Sequence, residues 1–195
     1  VPDTIEIVAS RDHWATEFTG LASIVQLALE AVPHRVHHIG STSVPGLAAK
    51  DIIDLMISVP VLDAGLIRPR FETLGWTWRD DIDRDHRPPG ADVTPEDLAK
   101  LYVQAHSPRR VNCHIRVPGA FNHRYALLFR DYLRALPGPR ETYGEIKRRL
   151  AARFPDDVDA YYDIKDPVTD VIMAGAECWA TATGWQEPVF TRPSG

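Results

Sequence analysis

Two apolar strand signals joined by a Gly-Ser turn, between residues 35 and 59, constrain this chain more than any other feature. Residues 35–39 read as a short strand ending at Gly40. Residues 51–59, dense in Ile, Leu and Val and closed by Pro60, read as a second strand. Between them, Gly40 lets the backbone turn closely. Ser41, Thr42 and Ser43 then offer hydroxyls and backbone N–H groups at the start of a short helix. Such a terminus attracts anions, because unpaired N–H groups and the helix dipole point at them. Lys50 adds a positive charge suited to a phosphate or a carboxylate, and Asp54 on the next strand is placed to hold Mg²⁺ against that phosphate. The same residues also read as a capped turn, with Asp54 solvated or paired to Lys50, since turn residues of this kind recur for local reasons. Ile52, Ile53 and Leu55 make the strand a buried one, so Asp54 needs a partner there.

The rest of the chain surrounds this unit with helices and further strands. Residues 12–31 predict a helix, with Trp14, Phe18, Leu21, Val25 and Ala28 at helical spacing and Pro33 beyond. A second helix is predicted over 61–74 and a third strand over 75–79. Residues 80–94, charged and rich in Pro and Gly, read as an exposed loop. Strands are predicted over 101–105 and 111–117, with Ser107-Pro108 as the hairpin turn. From Phe121 the pattern is helical: Phe121, Tyr125, Leu128, Phe129, Tyr132, Leu133 and Leu136 trace one apolar face, and Pro137-Gly138-Pro139 stops that helix. Tyr143, Ile146, Leu150 and Phe154 trace the next. Asp166-Pro167 predicts the start of the last helix, with Asp as N-cap and Pro at the first helical position. That helix runs to about Thr183, where Gly184 suits the C-terminal cap. The fold class is therefore α/β (α+β): a small mixed β-sheet flanked by helices, with a C-terminal helical extension. No linker marks the change of pattern near residue 120, so 1–195 reads as a single domain.

Composition narrows the function. With 27 acidic against 22 basic residues and a formal charge of −5, the chain lacks the basic excess of a dedicated nucleic-acid binder. Binding one nucleotide needs only a few local cations. Cys113 and Cys178 are too few for a disulfide framework and read as reduced thiols of a cytoplasmic protein, with one bridge between them as the alternative. No apolar run approaches the roughly 20 residues of a membrane span, and no signal peptide opens the chain. A start at Val1 rather than Met fits a domain cut from a longer polypeptide.

Other candidates follow from strand and helix periodicity. Asn112, His114 and Arg116 alternate on one strand and share a face, which suggests a pocket wall. His114 there reads as a metal ligand or acid/base group beside Asp54, or as part of an exposed sheet face. His37 and His38 face opposite ways, and His38, on the parity of Gly40, is the one expected at the site. No ligand spacing supports a zinc site from His38, His114 and Asp54. Arg130 on the Phe121 helix, Lys147 and Lys165 read by themselves as solvated side chains or members of structural ion pairs; a ligand role for them is only what the family resemblance below implies. Ser41, Asp54 and His114 do not read as a hydrolase triad, because no nucleophile-elbow pattern surrounds Ser41. Ser41, Lys50, Asp54 and His114 are expected to line one cleft.

Gly40-Ser41, twelve residues, and then Asp54 on an apolar strand resembles the signature of nucleotidyltransferases related to DNA polymerase β. The longer string HIGSTSVPGLAAKDIID resembles the GrpB family more closely, as do NCHIRV, ALLFRDYLRALP with the Tyr143…Lys147 pair, and Tyr162-Asp163-Ile164-Lys165. The resemblance runs from about Trp14 to Trp179. It implies a nucleotidyltransferase-like fold of a bacterial protein and a nucleoside triphosphate bound with Mg²⁺. Phosphates would lie on Gly40, Ser41 and Thr42, and NMP would pass to a small acceptor. Asp54 and His114 would be the catalytic and metal-binding residues. His38, Ser43, Lys50, Arg116, Arg130, Lys147 and Lys165 would complete the ligand shell. The wider superfamily carries Asp-x-Asp or Asp-x-Glu on this strand, whereas Asp54 is followed at that place by Met56. Members of the GrpB family generally share this gap. Asp51 points to the other face and cannot fill it without a bulge. The resemblance therefore also implies a second reading, a non-catalytic module that binds an anionic ligand or regulates a partner. GrpB-like domains occur behind dephospho-CoA kinases, so a kinase fusion or association is the implied partner.

Overall fold

The computed structural model describes residues 4–190, and among these five strands, β1 (Arg35–Ile39), β2 (Ile53–Ser58), β3 (Thr77–Trp78), β4 (Leu101–Ala105) and β5 (Val111–Arg116), form one sheet in the order β1-β2-β5-β4-β3. β1 runs antiparallel to β2, as do β3 to β4 and β4 to β5. The central pair β2–β5 is parallel, which makes the sheet mixed.

Alternation along the strands sorts the two faces. Leu55, Ile57, Val103, Cys113 and Ile115 point one way, into a core shared with Trp14 and Val25 of α1 (His13–Ala28) and Ile67 and Phe71 of α2 (Ala64–Thr73). Each such fully buried side chain contributes about 1.5–3 kcal/mol. Asp54, Met56 and Ser58 point the other way, beside Asn112, His114 and Arg116 in register. That face is covered by α4 (Phe121–Ala135), α5 (Pro137–Arg153) and α6 (Val158–Thr183). The three helices pack around Leu128, Leu133, Tyr143, Met173 and Ala176, and meet the sheet where Leu127 touches Ile39 and Met56.

Several boundaries differ from those the sequence predicts. α1 and α2 are trimmed at both ends; Asp63 caps α2 by accepting from the Leu66 N–H at 2.9 Å. The third strand shrinks to two residues. Within 80–94 Arg84 bridges to Ala99, and Thr94 and Asp97 form a capping box that opens α3 (Pro95–Leu98). Pro137 starts α5 as well as ending α4. Asp166-Pro167 is not a helix start: α6 begins nine residues earlier than Pro167, at Val158, where Asp157 accepts from the Ala160 N–H at 3.0 Å. Tyr161, 1% exposed against Ile5, Leu150 and Ala151, anchors those first turns. Pro167, which lacks the N–H for a helical hydrogen bond to the Asp163 carbonyl, is exposed, as is Asp163 one turn back. Cys113 is buried and Cys178 exposed, and both are free. Among the described residues no helix is long and apolar enough to cross a membrane.

Candidate functional site

The polar face of the sheet and the three C-terminal helices enclose a cavity of about 450 Å³, within the range of small-molecule sites, roughly 300–1,000 Å³. Its floor is Asp54, Asn112, His114 and Arg116; its sides are the Gly40–Thr42 turn, Lys50, Lys100, Tyr125, Phe129, Lys147, Tyr162 and Lys165. Six Lys and Arg side chains line it against three carboxylates, Asp54, Asp85 and Asp166. The interior therefore carries the opposite sign to the chain as a whole.

The turn explains its own composition. Gly40 has φ 66°, and a Cβ there would lie 2.8 Å from the Asp54 Cγ and closer still to Oδ2. Glycine is needed both for the left-handed backbone and for the approach of the chain to the carboxylate beneath it. The 3₁₀ turn Ser41–Ser43 follows, and the Ser43 hydroxyl donates to the Gly40 carbonyl at 2.6 Å. Ser43 is thus buried as a brace of the turn, and it lies outside the cavity lining. Ser41 and Thr42 line the cavity. Lys147, 3% exposed, donates to the Ser41 hydroxyl at 2.7 Å and to the Ala48 carbonyl. Burial, reinforced by Lys165 nearby, pushes its ammonium down to about 7.

Asp54 accepts from the Asn112 amide at 3.0 Å, and Asn112 in turn accepts from Tyr102 at 2.8 Å and Gln104 at 3.1 Å. Burial raises the Asp54 carboxyl to about 6, against the pull of that hydrogen bond and of Lys165, Lys147 and Arg116. Lys50 lies over the rings of Tyr161 and Tyr162 at 4.6 and 4.7 Å, and Lys165 pairs with Asp166 at 2.6 Å while crossing the Tyr162 ring at 5.0 Å. His114 sits against the Tyr102 ring, 4.9 Å between centroids, with Nδ1 3.4 Å from Arg116 Nη2. Burial, then Arg116 and Lys100, hold His114 well below its ordinary value, so its ring is neutral.

Besides Ser43, two further expected residues, His38 and Arg130, lie outside the cavity lining. His38 pairs with Leu55 in the β1–β2 register and so shares the helix α1 side of the sheet, stacked on Phe18 at 4.6 Å with Nε2 3.1 Å from the Thr42 hydroxyl. The strand parity that linked it to Gly40 breaks because Gly40 has already left the strand at positive φ. His37 faces the Asp54 side, but it is bonded to Ser58 at 3.0 Å; Ser58 bonds His123 at 2.6 Å, and His123 pairs with Glu187. Arg130 is bound to Asp131 at 2.7 Å and to the His38 carbonyl at 3.1 Å, outside the cavity lining. Asp51 faces away, held by Trp14, Arg109 and Arg11.

The residue with the greatest effect on the site that the sequence did not single out is Asp85. It comes from the 80–94 segment, expected to be an exposed loop, and reaches in to bind Lys100 at 2.7 Å, Arg116 at 2.8 Å and Asn122 at 3.0 Å. Burial alone would raise its carboxyl, but Arg116 and Lys100 outweigh burial and hold it well below the carboxylate range. No periodicity inside an irregular segment signals such a contact. Tyr102 carried a weak signal, through the alternation that puts it beside His114 across the β4–β5 hairpin.

The donor set does not fit the paired divalent ions of the nucleotidyltransferase signature, which need several ligands around both ions. Asp54 is the one carboxylate of its strand face, Met56 follows it there, and His114 faces Arg116. Among the described residues no group of three or more His, Cys, Asp or Glu side chains is placed to share an ion.

The family model described as GrpB protein matches residues 4–174. A dephospho-CoA kinase of Mycolicibacterium paratuberculosis is 33% identical over 93% of the chain, which spans 48% of that protein. The UPF0157 protein PA4798 of Pseudomonas aeruginosa is 34% identical over 89% of the chain, which spans 68% of it. The chain thus covers about half the length of the first relative. The crystal structure of the conserved protein GrpB from Enterococcus faecalis superposes with a TM-score of 0.72 at 28% identity, over 93% of this chain and 100% of that one. Cid1 in complex with its short product ApU superposes at 0.50 and 14% identity, over 75% of this chain and 43% of that one, a likeness of fold.

Proposed function

Because the chain belongs to the GrpB family, within the nucleotidyltransferase-like superfamily, we propose that its cavity binds a nucleotide-type ligand, a ring carrying phosphates. The observation that carries this reading is the contact of Lys147 with Ser41, 2.7 Å apart under the Gly40 turn in a cavity of cationic excess. Phosphate oxygens lie against Gly40, Ser41 and Thr42 and are neutralised by Lys147, Lys165 and Lys50. The ring stacks within the aromatic wall of Tyr125, Phe129 and Tyr162, a contact worth about 0.5–1.5 kcal/mol for each good aromatic pair. Asp54 and Asn112 accept and donate hydrogen bonds at the floor.

Transfer of NMP to a small acceptor asks for more carboxylates than the floor supplies, so binding is the stronger of the two functions the sequence implied. Mg²⁺, which the resemblance implied, is therefore a variable of the test and not a part of the proposed site. A place beside a kinase domain is the partner relation we propose, since the chain matches half of a dephospho-CoA kinase. Dephospho-CoA, itself an adenine nucleotide, belongs among the ligands tried.

The test is a thermal-shift screen of nucleoside triphosphates, dephospho-CoA and pyrophosphate, with and without Mg²⁺, followed by pyrophosphate release with candidate acceptors. Stabilisation by a nucleotide that is lost in Lys147→Met supports the reading. No shift with any of them refutes it, and release above background would restore the transferase.

A further inference from the structure

Met56 stands where the superfamily's second carboxylate would be, and it is not left facing empty space. Its sulfur accepts from Arg116 Nη1 at 3.4 Å. Arg116 is 5% exposed and is fixed by Asp85, which binds Nε at 2.9 Å and Nη2 at 2.8 Å. Asp85 is answered a second time by Lys100 at 2.7 Å, so the trio Asp85, Lys100 and Arg116 carries one positive charge in excess. A buried guanidinium held at two points cannot swing away, it lines the cavity, and the buried thioether on Nη1 is only a weak acceptor, so much of its donor capacity is left for a phosphate oxygen. Guanidinium is also the cationic group best matched to phosphate geometry when water is excluded.

Resting on the reading of the cavity as a nucleotide-type site, we infer that the Arg116 guanidinium takes the place of a divalent ion, so that the ligand binds in its metal-free form. The carboxylate that would recruit an ion is absent at Met56, and the charge an ion would supply is covalently part of β5. The orienting elements are Asp85 and Lys100, which arrive from outside the Gly-Ser signature.

Calorimetry of the intact chain with ATP and with pyrophosphate, in EDTA and in excess Mg²⁺, tests this, together with Mn²⁺ alone followed by electron paramagnetic resonance. The expected result is binding in EDTA at least as tight as in Mg²⁺, with Mn²⁺ left free. Arg116→Gln should weaken binding in EDTA by about tenfold or more, and Arg116→Lys by less, both checked for cooperative melting. Binding that tightens about tenfold with Mg²⁺ overturns the inference, as does Mn²⁺ held by the wild type and released in Asp54→Asn. Binding of neither ligand in either buffer instead sinks the nucleotide reading beneath it.

Discussion

Asp54→Asn is expected to stabilise the folded protein above pH 6 and to leave it unchanged near pH 4. Burial holds the folded carboxyl at about 6, above its ordinary 3.8. Between those values the folded state binds the proton and the unfolded state has lost it, so stability falls as pH rises through this window. The cost is absent below about pH 4 and complete above about pH 6. A carboxyl held at about 6 instead of 3.8 corresponds to roughly 3 kcal/mol. The side chain keeps part of its surface in solvent, which makes that figure an upper bound. Asparagine retains a carbonyl oxygen to accept from the Asn112 amide, now at 3.0 Å from Oδ1. It removes the charge that Lys147 feels, but Lys147, pushed down to about 7, is itself mostly neutral at pH 8 and loses little. Urea unfolding of both proteins at pH 4, 5, 6, 7 and 8 measures the difference directly. An Asn variant less stable than wild type at pH 8, or a difference that does not vary with pH, would refute the argument that burial dominates at this floor.

Gly40→Ala should destabilise the fold by about 1–3 kcal/mol from the positive φ alone, with the collision against Asp54 adding to that, as read by chemical denaturation. If an anion binds beside Lys147, whose ammonium sits at about 7, the anion raises that value and draws in a proton. Calorimetry with ATP at pH 8 in buffers of different ionisation enthalpy should then report uptake approaching one proton, and no uptake would place the phosphates away from Lys147.

What could be read in the sequence was whatever periodicity controls. Asp54, Asn112, His114 and Arg116 share a face because strands alternate, and no tertiary contact had to be known to say so. Strand alternation does not extend through Gly40, at φ 66°, which is why the parity of Gly40 gives the wrong face for His38. Asp166-Pro167 has the local chemistry of a helix start, yet the burial of Tyr161 extends α6 back to Asp157. Local capping preference, worth about 1 kcal/mol, does not compete with an aromatic core contact. Asp85 had no local signature at all: its role comes from Lys100, Arg116 and Asn122, which converge on it from three other segments.

The parallel pairing of β2 with β5 has a kinetic consequence. Asp54 and Asn112 lie 58 residues apart in the chain, yet their hydrogen bond forms the cavity floor. Parallel strands so distant in sequence must close a long loop before any contact rewards the closure, which is the slow part of assembling such a sheet. The β4–β5 hairpin and the helical half can form from neighbouring residues; the floor cannot. The cavity therefore comes into being only when the central strands dock. A ligand of this cavity would bind the finished fold alone and so would stabilise it by mass action.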